Sequence, residues 1–317
     1  MRIRLHGAGF AEAIATAAGV LGAVAEHPTM AETERRVVLL TGGTSGIGRE
    51  ATRRLADAGM TVAVVGRDES RGTAVAETDT EETPGTVGFH RADLSRQDRV
   101  RSLAREVRER YDRLDVLAHN AGLSSAERVE TVDGLERTFA VNHLAPYLLT
   151  HELVGRLRES APARVVVTAS GIHRRGSLDF EDLQSESDYD GLDAYADSKL
   201  ANVAFTVELA ARLGADVTAN CFHPGFVPST GLFRDAKPWT RLAVRAASLA
   251  PGVGTDEDTG ARRLVRLVTD PRFAQHSGAY LGSDGIEEPD PAATDPAIRE
   301  RLWTESARLV GVDPDWP

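Results

Sequence analysis

Val37-Val38-Leu39-Leu40-Thr41-Gly42-Gly43-Thr44-Ser45-Gly46-Ile47-Gly48 is the stretch whose reading decides the fold. Val37 to Leu40 is a continuous apolar run between charges and glycines, as in a strand buried on both faces. From Ile47 to Ala58 the apolar residues take up helical spacing, and Gly59 is a good stop. A strand that turns through glycines into a helix offers free amides and a positive dipole end to phosphates. Gly42 permits the tight turn. Gly46 and Gly48 remove side chains where backbone must approach a diphosphate or pack on the sheet. Thr44, Ser45 and Ile47 share the loop and count with the glycines as expected cofactor contacts. The spacing is Gly-x-x-x-Gly-x-Gly rather than Gly-x-Gly-x-x-Gly. A plain flexible turn is the alternative, and the strand–turn–helix setting favours nucleotide binding.

Outward from this unit the pattern repeats. Thr61–Val65, Thr86–His90, Leu114–His119, Arg164–Thr168 and Asp216–Phe222 read as further strands, with Gly278–Leu281 as a short seventh. Helical patterns fall between them. One begins at the cap Asp68 and runs to about Asp79; another runs from Ser95 to Tyr111. A long one covers Val132–Arg158 with Pro146 as a kink. The next are Ala194–Leu213 and Asp256–Val268, and the tail carries Pro296–Leu309. Alternating strands and helices imply a parallel sheet. The expectation is a single doubly wound α/β domain of Rossmann type over residues 31–317, with a mostly parallel seven-stranded sheet. Ile172–Asp193 reads as an acidic, loop-like insertion. Phe226–Thr255 reads as irregular, with a helical patch near 242–249.

The chain has 317 residues and a net charge of −11, from 48 acids and 37 bases. That balance argues against non-specific nucleic-acid binding, which needs a basic face. The single cysteine, Cys221, allows no intrachain disulfide and suits a reducing compartment. It reads as a small buried hydrophobe, and the location expected is the cytoplasm. No run of 18 apolar residues occurs, so no ordinary membrane span is expected. Residues 1–30 form an extension, read as disordered or a short helix. Its two early arginines and Ala/Gly-rich stretch resemble an export signal, but Glu12 interrupts the apolar part. Met30 is an alternative start. A membrane-surface anchor in residues 1–25 is a rival reading.

Chemistry is expected at the ends of the strands. The second strand ends in Val65-Gly66-Arg67, where NAD-binding folds place an acid about 20 residues after the glycines. Arg67 suits a 2′-phosphate, hence NADP, while Asp68 is a helix cap that leaves NAD open. Asp93, followed by Leu94, can bond an adenine amine or cap the next helix. Asn120-Ala121-Gly122 ends the fourth strand, and Ser170 leaves the fifth, where a hydroxyl can donate to a developing alkoxide. Tyr195 and Lys199 lie four apart on a helix and share a face. A nearby lysine cation lowers a tyrosine's pKa, which makes the pair a candidate for general acid–base work. Only two lysines, Lys199 and Lys237, occur in the chain, so Lys199 is not background.

Taken together, Thr41-Gly42-x-x-x-Gly46-x-Gly48, Asn120-Ala121-Gly122, Ser170, Tyr195-x-x-x-Lys199 and Pro224-Gly225 resemble the short-chain dehydrogenase/reductase family. The resemblance covers about Arg36 to Tyr280. Tyr195-Ala-Asp-Ser-Lys-Leu-Ala-Asn202, Val141-Asn142-His143-Leu144 and Asp182-Leu183-Gln184-Ser185 look like its retinol dehydrogenase-like branch. So does the long segment between Ser170 and Tyr195. The resemblance implies that Tyr195 is the acid/base. It implies that Lys199 lowers its pKa and holds the nicotinamide ribose, and that Ser170 positions the carbonyl oxygen. It implies that Asn142 holds a proton-relay water. Asn120 would line the cofactor cleft, and Val227 after Pro224-Gly225 would meet the nicotinamide amide. His119 and Ser229 depart mildly from the family pattern. His173 and His223 read as structural or substrate-wall positions, and no clustering of histidine with cysteine points to a metal. The function expected is an NADP-preferring oxidoreductase, with NAD possible, acting on a small carbonyl or alcohol. Ile172–Asp193 and Phe226–Thr255 would select the substrate, the latter as a lid, and a homo-oligomer is compatible. The rival class is a non-catalytic nucleotide-binding sensor or scaffold.

Overall fold

A computed structural model describes residues 36–228, 254–283 and 285–317. Its sheet contains β1 (Val37–Thr41), β2 (Thr61–Gly66), β3 (Thr86–Arg91), β4 (Val116–His119), β5 (Ala163–Thr168), β6 (Val217–Phe222), β7 (Tyr280–Leu281) and β8 (Ile286–Glu287), in the order β3-β2-β1-β4-β5-β6-β7-β8. The first seven pair parallel, as the alternating pattern predicts, and β8 runs antiparallel to β7. This eighth strand is the departure from the seven expected. At two residues it is too short to carry a period-two signal.

Alternation along the strands feeds two cores. Val37 and Leu39 of β1 point to one face, Val38 and Leu40 to the other. Helices α1 (Gly46–Asp57) and α6 (Glu257–Thr269) cover the second face, with Ile47, Ala51 and Leu55 meeting Ala261, Leu264 and Val268. Helices α3 (Gln97–Arg110), α4 (Ala145–Glu159), α5 (Gly191–Arg212) and α7 (Pro296–Val310) cover the first. Helix α2 (Glu69–Glu82) closes the β2–β3 end, its first turn capped by Asp68, which accepts from Arg71 N at 3.0 Å. β1 has β2 on one side and β4 on the other, so the winding reverses between β1 and β4. A crevice opens there at the strands' carboxyl ends.

Two helices differ from expectation for local reasons. α3 starts two residues after Ser95, because Ser95 N and Oγ both go to Asp93 Oδ1, at 3.1 and 2.8 Å. The long Val132–Arg158 helix is instead a short turn at Arg137–Phe139, a π turn at Ala140–Leu144, and then α4. The Glu136 carboxylate accepts from Thr138 N and Phe139 N at 2.8 and 2.6 Å and sets the start. Pro146 has no N–H for the Asn142 carbonyl, and the chain widens before the proline instead of kinking at it.

Behind α5 lies an aromatic cluster that hydrophobic periodicity does not announce. Trp303 of α7 stacks on Phe205 of α5 at 5.9 Å and 17°, and carries Arg212 over its face at 4.5 Å. Trp316 lies 4.5 Å from Trp303, ring to ring, and donates from Nε1 to Tyr147 Oη at 2.9 Å. Cys221 is fully buried in β6, and burial pushes its thiol up to about 12. Among the described residues no helix is long and apolar enough to cross a membrane. The readings of residues 1–30 and of the patch near 242–249 fall outside the described residues, as does most of Phe226–Thr255.

Candidate active site

The glycine loop is shaped by sterics as much as by turn geometry. Gly42 and Gly46 have φ of 70° and 55°, the left-handed region. A Cβ on Gly48 would stand 2.1 Å from the Gly42 carbonyl oxygen, so this glycine lets the loop close on the helix start. Ser45, the N-cap of α1, makes no side-chain cap, so the first amides of the helix are left for a ligand. Behind the loop, Thr41 Oγ1 accepts from Asn120 N and Ala121 N at 3.0 and 3.1 Å. Asn120 Nδ2 lies 3.3 Å from the Thr41 carbonyl and 3.4 Å from that of Gly42. Thr168 Oγ1 reaches Asn120 Oδ1 at 3.5 Å. Asn120 thus ties β1, β4 and β5 together at the cleft floor, beyond merely lining it.

A cleft of about 980 Å³ lies over this floor. Gly42, Thr44, Ser45, Gly46, Ile47 and Gly48 form its wall at one side, and Arg67, Asp93 and Leu94 lie at one end. Asn120, Ala121 and Gly122 lie along its floor. Ser170, Tyr195, Lys199, Pro224, Gly225 and Val227 complete the lining. Every residue expected to touch a cofactor therefore borders one cavity. The left-handed glycines, the uncapped helix start and the exposed Arg67 fit a dinucleotide with phosphates at α1. Arg71, one turn into α2, also borders the Arg67 end and was missed, although its place four residues after Arg67 on a helix start was readable. Asp93 borders the cleft while its Oδ1 closes the Ser95 turn, so it does not cap α3 directly.

At the other end Tyr195 and Lys199 lie one turn apart on α5, 6% and 3% exposed. The Ser170 side chain lies near the Tyr195 phenol and opposes the rise in its pKa. Ser170 Oγ accepts from Ile172 N at 3.4 Å, which leaves its own proton to give. Lys199 Nζ donates to the Thr168 carbonyl at 2.9 Å and stands 5.6 Å from the centre of the Tyr195 ring. Burial pushes the Tyr195 phenol up to about 12, with the nearby Ser170 side chain opposing it. Burial also brings the Lys199 ammonium down to about 8.

That second shift has a thermodynamic sign. Between pH 8 and the ordinary lysine value of 10.5, the unfolded chain holds the Lys199 proton and the folded one does not. Stability contributed by this group therefore rises with pH across that window. Lys199→Met is expected to be more stable than the parent at pH 7, with the gap closing between pH 8 and 10.5. Thermal melts of both proteins over that range check it; a gap independent of pH refutes the buried charge.

Asn142 is not on the cleft wall. Its Oδ1 accepts from Leu123 N, and its Nδ2 gives to the Leu123 carbonyl and to Ser198 Oγ, each at 2.9 Å. Ser198 Oγ in turn donates to the Tyr195 carbonyl at 2.8 Å. The side chain clamps the β4 exit to α5. His173 is spent as well, with Nδ1 on the Ser170 carbonyl at 2.8 Å and Nε2 accepting from Asp290 N at 3.0 Å. His119 is buried against Thr150 Oγ1 at 2.8 Å.

Of the insertion Ile172–Asp193, expected to select the substrate, Ile172 and Leu192 line the cleft. Its middle is bound to the body. Gln184 Oε1 accepts from Glu136 N at 2.8 Å and its carbonyl from Arg128 at 2.9 Å. Arg301 covers Phe180 at 4.5 Å. His223 and Phe226 belong to the lining, as do Leu123 and Val141, which were not singled out as wall residues. Their positions follow from the π turn and the β6 exit, which local sequence does not reveal.

A family model described as short chain dehydrogenase matches residues 36–241. The chain is 37% identical over 295 residues to retinol dehydrogenase 14 of Mus musculus, covering 87% of this chain and 86% of that one. A crystal structure of an uncharacterized protein from Mycobacterium paratuberculosis superposes with a TM-score of 0.70 at 30% identity, over 88% of this chain and 94% of that one. A Shigella flexneri short chain dehydrogenase complexed with NADP superposes at 0.61 and 25% identity, over 78% and 96%. The chain belongs to the short-chain dehydrogenase/reductase family and is an NAD(P)-dependent oxidoreductase of alcohol or carbonyl groups. Within that family it falls in the retinol dehydrogenase-like branch.

Proposed function

We propose that the protein is an NADP-preferring carbonyl reductase or alcohol dehydrogenase in which Tyr195 is the acid/base. The observation that carries this reading is that half-buried Ser170, buried Tyr195 and Lys199 line the same cleft as Arg67 and the open start of α1. The bound nicotinamide supplies or takes the hydride at its C4. In the reductive direction, a phenol pushed up to about 12 keeps its proton until an alkoxide develops beside it. Ser170 and Tyr195 then donate to the carbonyl oxygen, and Tyr195 gives its proton to it. The Lys199 cation, one turn away, stabilises the phenolate left behind. Asn142, through Ser198, positions the backbone of Tyr195. Gly42, Thr44, Ser45, Gly46, Ile47 and Gly48 would hold the diphosphate, and Pro224, Gly225 and Val227 the nicotinamide side.

For the other end of the cofactor, Arg67 and Arg71 supply positive charge where an acid would favour NAD. The complex of the Shigella relative with NADP supports the same preference. Arg67→Ala is expected to weaken NADPH by about tenfold, the worth of a charge-assisted bond, while NADH changes little. Titrations with both cofactors decide, and an unchanged ratio removes Arg67 from cofactor choice. A panel of aldehydes, ketones and alcohols, followed at the nicotinamide absorbance with each cofactor, tests the reading as a whole. Cofactor binding without turnover of any of them would leave the sensor alternative.

A further inference from the structure

We propose that His223 positions the substrate by donating a hydrogen bond from Nε2 to a second oxygen, hydroxyl or carbonyl, near the reacting carbon. The proposal rests on the carbonyl or alcohol reading above and narrows its substrate class to oxygenated carbonyl compounds.

The ring is held in place on several sides. His223 N donates to the Leu281 carbonyl at 3.1 Å, and its own carbonyl accepts from Arg263 Nη1 at 3.0 Å. The imidazole stacks on Tyr280 at 5.9 Å and 19°. Gly225 N lies 3.2 Å from Nδ1, and a backbone N–H can only donate. An imidazole that accepts on Nδ1 carries its proton on Nε2. No described residue accepts that proton. Burial and the Arg263 cation hold the ring in this neutral form, reinforced by His173 and Arg174 and opposed by Glu287.

The place of this donor gives it a purpose. His223 borders the same cleft as Ser170 and Tyr195, and a Cβ on Gly171 would stand 4.0 Å from its Nδ1. It therefore sits beside the shoulder that carries the Ser170 hydroxyl. The neighbouring wall is apolar, with Ile172, Leu192, Phe226 and Val227. Proton transfer has no need of a second acid, since Tyr195 fills that role. His173, by contrast, has both ring nitrogens occupied. An N–H without a partner among the described residues, beside Ile172, Leu192, Phe226 and Val227, selects for substrates that satisfy it, because a poorly matched one leaves it unpaired.

The test uses two ketones of equal carbon length, one with a hydroxyl close to the carbonyl, on the full chain with NADPH. His223→Phe keeps a ring against Tyr280 and removes the donor; His223→Gln keeps a donor on a different frame. The parent is expected to favour the hydroxyketone, and His223→Phe to reduce the kcat/KM ratio of the pair about five- to tenfold, mainly through KM. His223→Gln should restore part of it. A ratio unchanged in both variants, with both ketones losing equally, makes His223 a structural residue and overturns the proposal while carbonyl reduction stands. No turnover of either ketone by the parent removes the underlying reading, and the proposal with it.

Discussion

Tyr195→Phe is expected to lower turnover by about 10²–10⁴-fold while NADPH binds nearly as before. The side chain is buried, and a phenyl ring fills the same space, so packing on α5 changes little. What is lost is one hydroxyl, which lies near Ser170. Ser170 keeps its bond from Ile172 N, so no new buried group is stranded at the strand end. The loss should therefore fall on kcat, as for an interaction made chiefly in the transition state. Steady-state rates on the ketone panel, with the NADPH affinity read from quenching of its fluorescence, measure it. Turnover equal to the parent's would take Tyr195 out of the proton transfer.

Trp303→Ala should be severely destabilising, costing about 3–5 kcal/mol. Trp303 is 2% exposed and packs on Phe205, Tyr147 and Trp316, with Arg212 over its other face. Its Nε1 also donates to the Pro314 carbonyl at 2.9 Å. Alanine leaves a cavity, frees the 311–317 tail and uncovers the back of α5, the helix that carries Tyr195 and Lys199. At roughly 2–4 °C per kcal/mol for a chain of this size, the melting temperature should drop by about 10 °C. A drop of only a degree or two would mean that the cluster is peripheral to stability.

How much of this could be read from the residues follows from the range of the forces involved. β1 and α1 are local objects: an apolar run, glycines where no Cβ fits, then a period of about 3.6 residues. They stood where the sequence placed them. So did Tyr195 and Lys199, because helical spacing alone puts them on one face. The Asn142 clamp was not legible, since its partners Leu123 and Ser198 are brought to it by the fold. Nor was the burial of Tyr195, which raises its pKa and is set by packing from distant parts of the chain. The attachment of the insertion was hidden for a similar reason. An acidic, loop-like composition looks free, whereas Gln184 and Phe180 are tied to Glu136, Arg128 and Arg301 from distant parts of the chain.

Two of the three tryptophans, Trp303 and Trp316, lie 4.5 Å apart with their rings tilted by 34°, and touch the helix that carries Tyr195. Indoles that close couple their electronic transitions, so the pair gives the molecule a built-in optical gauge. Near-ultraviolet circular dichroism should register any shift of that helix as ligands enter, without a dye or label.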